Sequence, residues 1–196
     1  MLDPAGDAHK TGRVIDDMFE RGITLQYAQE LKKELEQLLP SARIILTRFP
    51  GETVEPLQSA AFANKLGADL YIALSFYKES TAIPRVWMYH MLAHPTTDFW
   101  NNKSTQLKAQ AYNQAHRTKL LQSQTLLAAF AVALKPTSAC IINPPCGIPY
   151  KPLVGVQAPA CGLEIGLPEK NVWKPFIKPV AEGIHILVNQ YFASMT

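Results

Sequence analysis

The run Asp69-Leu-Tyr-Ile-Ala-Leu-Ser75 holds five apolar residues in succession. A strand with one wet face alternates apolar and polar residues. An unbroken run is a strand covered on both faces, the habit of parallel sheets packed between helices. The segments before it agree. Phe19, Ile23, Tyr27, Leu31, Leu35 and Leu38 recur at spacings of three and four, which predicts a helix over residues 17–39, ended by Pro40. RIILTR (residues 43–48) reads as a short buried strand, and VEPLQSAAFANKLG as a second helix closed by Gly67. Helix, strand, helix, strand predicts an α/β fold: a mostly parallel central sheet of about five or six strands with helices on both faces, a three-layer sandwich.

Further along, PRVWMYHML (84–92), SACIIN (138–143) and ACGLEIG (160–166) read as strands. The polar loop AHPTTDFWNN leads into a long helix over about residues 103–134. A closing helix is expected over 174–192, with Pro175 near its first turn and Pro179 early in it or breaking it. Residues 135–159 are rich in Pro and Gly and irregular. No repeat or composition shift marks a boundary, so residues 1–196 read as one domain, and the abrupt opening reads as a cut from a longer protein.

Composition removes several classes of function. The chain is 47% apolar and 18% charged, enough apolar mass for a sizeable core. The net charge of +3 is scattered, and no basic stripe is interleaved with aromatics, which argues against a nucleic-acid partner. The longest apolar run, Leu126–Leu134, has nine residues, and a bilayer needs about 20. It reads as a buried helix segment, and no signal peptide precedes Asp3. Cys140 and Cys146 flank IINPP; in an oxidising compartment they could close a small disulfide loop, and otherwise they are two ordinary thiols. Cys161, inside an apolar run, reads as a small core residue.

Five strings follow one another along the chain: LDPAGDA (Leu2–Ala8), FERGITLQYAQEL with Glu20 as its second residue, IILTR, FANKLGADLYIALS and PACGLEIGL (Pro159–Leu167). Their order and spacing resemble those of the zinc-dependent N-acetylmuramoyl-L-alanine amidases of bacterial cell-wall turnover, in the branch that includes the cell-division amidases. The resemblance covers nearly the whole chain. It implies a site in which two histidines and a glutamate hold Zn²⁺ and leave a position open for water. Zinc lowers the pKa of that water to about 7. A second glutamate, on the C-terminal strand, acts as general base on the amide joining muramic acid to the first alanine of the peptide stem.

Carried over position by position, the first histidine falls on Gly6, the glutamate ligand on Glu20, the second histidine on Ser75 and the general base on Glu164. An arginine often found on the second helix falls on Ser59. Glycine offers no side-chain ligand, and a serine hydroxyl binds zinc poorly at neutral pH. The resemblance therefore implies a degenerate member: zinc-free, without a cofactor and catalytically inactive, with Glu164 a vestige. Such a domain would serve as a peptidoglycan-binding or protein-interaction module of the periplasm or cell envelope. Its partner would be a stem peptide or another envelope protein. The alternative is an active amidase with a rebuilt zinc site, using Glu20 and His9, with His90 as a further candidate.

Two carboxylates left facing each other without a cation repel, so one pKa rises or a basic side chain moves in. His9, Lys10, Arg13 and Lys78 are the candidates. Trp87, Tyr89, Phe99 and Trp100 either line a binding surface or serve as core packing and loop aromatics.

Overall fold

The structure, a computed structural model, describes residues 1–55, 57–92, 112–136 and 140–193. Strand β1 (Leu2–Pro4) opens the chain, and a two-stranded hairpin, β2 (Val14–Ile15) and β3 (Met18–Phe19), leads directly into helix α1 (Glu20–Leu38). Helix α2 (Gln58–Leu66), strand β4 (Tyr71–Lys78) and strand β5 (Arg85–Met91) follow. After a 3₁₀ segment (Tyr112–Lys119) come helix α3 (Leu120–Leu134), the short strands β6 (Ile141–Ile142) and β7 (Cys146–Ile148), strand β8 (Ala160–Leu167) and helix α4 (Ile177–Ala193).

The sheet runs in the order β1-β4-β8-β5-β6, with β7 also paired to β5. β1, β4 and β8 are mutually parallel; β5 lies antiparallel to β8, and β6 and β7 run parallel to β5. The mostly parallel sheet with helices on both faces is thus present, but the two faces are covered unequally. Ile72, Leu74 and Phe76 of β4, with Cys161, Leu163, Ile165 and Leu167 of β8, join one large core with α1, α3 and α4. In that core Tyr27 packs edge-on against Phe76 at 5.2 Å and Trp173 at 6.0 Å, pairings that add about 0.5–1.5 kcal/mol each beyond area burial. The alternate residues, Tyr71, Ala73 and Ala160, pack in a smaller cluster with Ala60 and Ala63 of α2 and with Leu153. That second face is where Ser75 and Glu164 project, because side chains alternate along a strand.

Several expected boundaries move. Residues 43–48 form no strand: they contribute one isolated bridge, Leu46 to Leu2. That bridge is held by two bonds at Leu2, its N–H donating to Ile45 O (2.8 Å) and its carbonyl accepting from Thr47 N (3.0 Å). Helix α1 begins at Glu20 instead of 17, because the preceding residues close the hairpin and the Glu20 N–H reaches back to the Arg13 carbonyl at 2.7 Å. Of the long helix expected over 103–134, the described part is 3₁₀ up to Lys119 and α-helical only beyond it. Gly67 closes α2 in the left-handed conformation, φ +62°. Pro175 sits in a short 3₁₀ turn ahead of α4, and Pro179 is the third residue of that helix, where no N–H is needed. No disulfide joins Cys140 and Cys146, and Cys161 is buried. No described helix is long and apolar enough to cross a membrane.

Candidate functional site

The loop after β1 frames the site. Gly6 has φ +78°, and a Cβ there would lie 2.7 Å from the Cβ of Arg21. Position 6 is therefore closed to any side chain in this backbone conformation. Asp7 is buried and gathers the loop: its Oδ1 accepts the N–H groups of His9 (2.8 Å) and Lys10 (2.6 Å), and Oδ2 that of Val54 (3.3 Å). These backbone donors, the one at Lys10 foremost, hold the Asp7 carboxyl below the usual carboxylate range. The side chains of His9 and Lys10 stay exposed. Beneath the loop, buried Arg48 donates from Nε to Pro4 O (3.0 Å) and from Nη2 to Ala5 O and Arg21 O (both 2.9 Å). The arginine of the LTR string is thus a clamp between the end of β1 and the first turn of α1.

Glu20, 5% exposed, spends both carboxylate oxygens on backbone donors. Oε1 accepts from Phe76 N (2.9 Å) and Oε2 from Arg13 N (3.0 Å). Gly12, φ +75°, permits this: a Cβ there would come within 2.7 Å of Glu20 Oε2. Two ion pairs pin the hairpin beside it. Asp16 pairs with Lys78 and Asp17 with Lys170, each at 2.5 Å.

Glu164 lies at the centre of β8, opposite Ser75 on β4 and Trp87 on β5. Arg13 reaches across and places Nη1 2.5 Å from Glu164 Oε1, with a longer bond to Phe76 O (3.4 Å). Tyr89 donates its hydroxyl to Glu164 Oε2 at 2.8 Å. Partial burial works against the Arg13 charge, but Glu164, and behind it Glu20, hold the guanidinium above its ordinary pKa. Burial, reinforced by the Glu164 carboxylate, raises the Tyr89 phenol. Tyr150 is pushed up to about 12, first by burial, and its hydroxyl meets Ser75 Oγ at 3.2 Å.

Of the four basic residues the sequence offers, it is Arg13 that meets Glu164. Lys78 is turned to Asp16, and His9 and Lys10 contribute backbone donors to Asp7. His90 is on the wrong face: Trp87 opposes Glu164, and His90, three residues on, projects from the opposite side, where its ring packs on Gly147. Ser59 lies beside Asp3, whose carboxyl burial raises in pKa. Trp87 and Tyr89 belong to the site: Trp87 Nε1 donates to Tyr77 OH at 3.2 Å, and Tyr89 holds Glu164. Phe99 and Trp100 lie outside the described residues. Tyr77 and Tyr150 were not singled out by the sequence, although the glycines two residues to either side of Glu164 were a usable signal.

These residues do not fit a catalytic zinc. Position 6 has neither a donor nor room for one. Glu20 has both oxygens on backbone N–H groups, and the Ser75 hydroxyl is engaged with Tyr150. Among the described residues no group of three or more His, Cys, Asp or Glu is arranged to hold a metal ion.

No family model matches the chain, and no curated protein does. Solved structures do. The catalytic domain of CwlV, an N-acetylmuramoyl-L-alanine amidase from Bacillus (Paenibacillus) polymyxa var. colistinus, superposes with a TM-score of 0.70 at 16% identity, over 98% of this chain and 96% of that one. The amidase AmiC2 of Nostoc punctiforme gives 0.65 at 12% identity, over 98% and 95%. The CwlD amidase of Clostridioides difficile, solved in complex with the GerS lipoprotein, gives 0.61 at 14%, over 98% and 97%. The sheet order, the helical layers and these superpositions together establish that the chain has the N-acetylmuramoyl-L-alanine amidase fold.

Proposed function

We propose that this chain is a zinc-free, catalytically inert amidase-fold domain that works as a binding module of the bacterial cell envelope, with peptidoglycan stem peptide or another envelope protein as its partner. The observation that carries this reading is the lack of zinc donors among the described residues, with position 6 closed by Arg21 and the Ser75 hydroxyl on Tyr150; the contacts of Glu164 add to it. A general base must hold water and keep a free oxygen to take its proton. Glu164 has one oxygen on a guanidinium at 2.5 Å and the other on a phenol at 2.8 Å. Each carboxylate oxygen of the two-glutamate pair thus accepts a hydrogen bond from the protein itself. A protein partner is in keeping with the CwlD amidase, which is seen bound to a lipoprotein.

The test is incubation of the purified protein with sacculi. The expected result is no released stem peptide, together with retention on sacculi or on a partner captured from an envelope fraction. Release of stem peptide that Glu164→Ala abolishes would overturn the reading in favour of an active amidase with a rebuilt zinc site on Glu20 and His9.

A further inference from the structure

Glu164 stands in a slot walled by aromatic rings. On the same face of β8, Gly162 and Gly166 flank it. A Cβ at Gly162 would lie 2.3 Å from Tyr150 Cε1, and one at Gly166 would lie 2.5 Å from Tyr77 Cζ. The two rings therefore lie directly on the strand and wall the carboxylate from both ends. Tyr89 closes the third side, its ring 5.1 Å from that of Tyr150 and its hydroxyl on Oε2. Trp87 fixes the Tyr77 hydroxyl from behind. Into this slot the Arg13 guanidinium enters, 2.5 Å from Glu164 Oε1 and 5.7 Å from the Tyr77 ring centroid.

The walls and the occupant differ in how firmly they are held. The walls rise from sheet strands and from Tyr150, and the Glu164 side chain is only 14% exposed. Arg13 comes from a surface loop, and its side chain is 53% exposed. Half-exposed ion pairs are weak and exchange readily. A partly buried carboxylate beside aromatic faces can take organic cations, and a planar guanidinium matches both the carboxylate and an aromatic ring.

We infer that the slot is a guanidinium-recognition site, closed in the free protein by the chain's own Arg13, and that the protein partner presents an arginine side chain that takes Arg13's place. This rests on the reading of the domain as a binding module and adds the chemistry of what it binds.

Chemical complementation tests it. The Arg13→Ala protein is titrated with ethylguanidinium, ethylammonium and the neutral isostere ethylurea, followed by the Trp87 indole N–H resonance. Ethylguanidinium is expected to bind saturably, at least about tenfold tighter than to the wild-type protein, with ethylammonium weaker and ethylurea silent. Adding Glu164→Gln is expected to abolish binding. Absence of saturable binding in a folded Arg13→Ala protein overturns the proposal, and equal binding of the two cations overturns the choice of arginine. Should Arg13→Ala not fold, the wild-type protein is titrated with a short peptide centred on arginine. A shift of the Trp87 signal that a lysine-centred peptide fails to produce supports the site; no shift refutes it. A failed titration with sacculi left uncut removes the guanidinium site and leaves the inert module standing, whereas released stem peptide removes the module whatever the titration gives.

Discussion

Ser75 and Glu164 stand directly opposite each other across the parallel β4–β8 ladder, on the sheet face that α2 covers. Placing an imidazole at Ser75 would therefore set it beside Glu164, yet among the described residues no group of metal-binding side chains stands there to join it. Position 6 is closed by Arg21, and Glu20 is tied to Phe76 and Arg13. That leaves one imidazole beside two carboxylates already held by the protein, Glu20 by backbone donors and Glu164 by Arg13 and Tyr89, where a catalytic zinc needs three free ligands. Ser75→His is expected to carry far less than one zinc per chain after dialysis, as is the wild-type protein. Stoichiometric zinc by elemental analysis in either would show that the loop after β1 rearranges to supply ligands.

The glycines of β8 are predicted to matter through the rings that cover them. Gly162→Ala must drive the Tyr150 ring away from the strand, since the new Cβ would sit 2.3 Å from Cε1. Overpacking of this kind costs about 1–3 kcal/mol. In a double-mutant cycle by urea unfolding, Tyr150→Ala in the same chain is expected to remove most of that cost, because the two changes share one contact. Additive losses would mean that the strand backbone, not the ring, resents the methyl group.

The sheet and its helical layers were legible because burial on both faces leaves an unbroken apolar run, as in residues 70–74, and because α1 keeps its spacing from Ile23 to Leu35. The two-glutamate pair was legible through the strings that carry it. What stayed hidden depends on contacts distant in sequence. Nothing local distinguishes Arg13 from Lys10 or Lys78 as the partner of Glu164, because the choice is made by a loop that Asp7 and Gly12 bend over Glu20. The alternation that puts His90 on the far face from Glu164 appears only once Trp87 is known to pair with it. RIILTR has the composition of a strand, but it meets β1 only at the Leu46–Leu2 bridge, and its arginine is used as a clamp.

Stability is expected to fall on the acid side. The Asp7 carboxyl is held low chiefly by the Lys10 N–H, and that of Glu79 chiefly by the Tyr77 hydroxyl. A carboxylate whose pKa is depressed on folding stabilises the fold above its unfolded value, about 4, and that stability is lost as pH falls through the folded value. Asp3 works the other way: burial raises its pKa, so its protonation at low pH favours the fold and offsets part of the loss. Urea midpoints measured from pH 6 to pH 2 should therefore fall less steeply in Asp7→Asn, from a lower plateau, and more steeply in Asp3→Asn. Parallel curves for all three proteins would remove both carboxylates from the account.

Arg48 is predicted to be the most costly single basic residue to lose among those described. It is 4% exposed, and its guanidinium bonds the carbonyls of Pro4, Ala5 and Arg21 together, with the Thr24 hydroxyl at 3.5 Å. Burial lowers its pKa, which says that the charge is kept at a cost and that its hydrogen bonds offset the cost. Removing the side chain empties a buried volume and takes away the donor shared by the three carbonyls, of which Ala5 O and Arg21 O keep the Thr24 hydroxyl at 2.8 and 3.3 Å; a buried acceptor left unsatisfied costs about 1–3 kcal/mol. Arg48→Ala is expected to lose about 3 kcal/mol by urea unfolding. Arg48→Lys should recover little of this, because an ammonium lacks the fork that reaches Pro4 from Nε and two further carbonyls from Nη2. If the lysine protein unfolds at the wild-type midpoint, the fork geometry is irrelevant, and the residue acts as a buried positive charge alone.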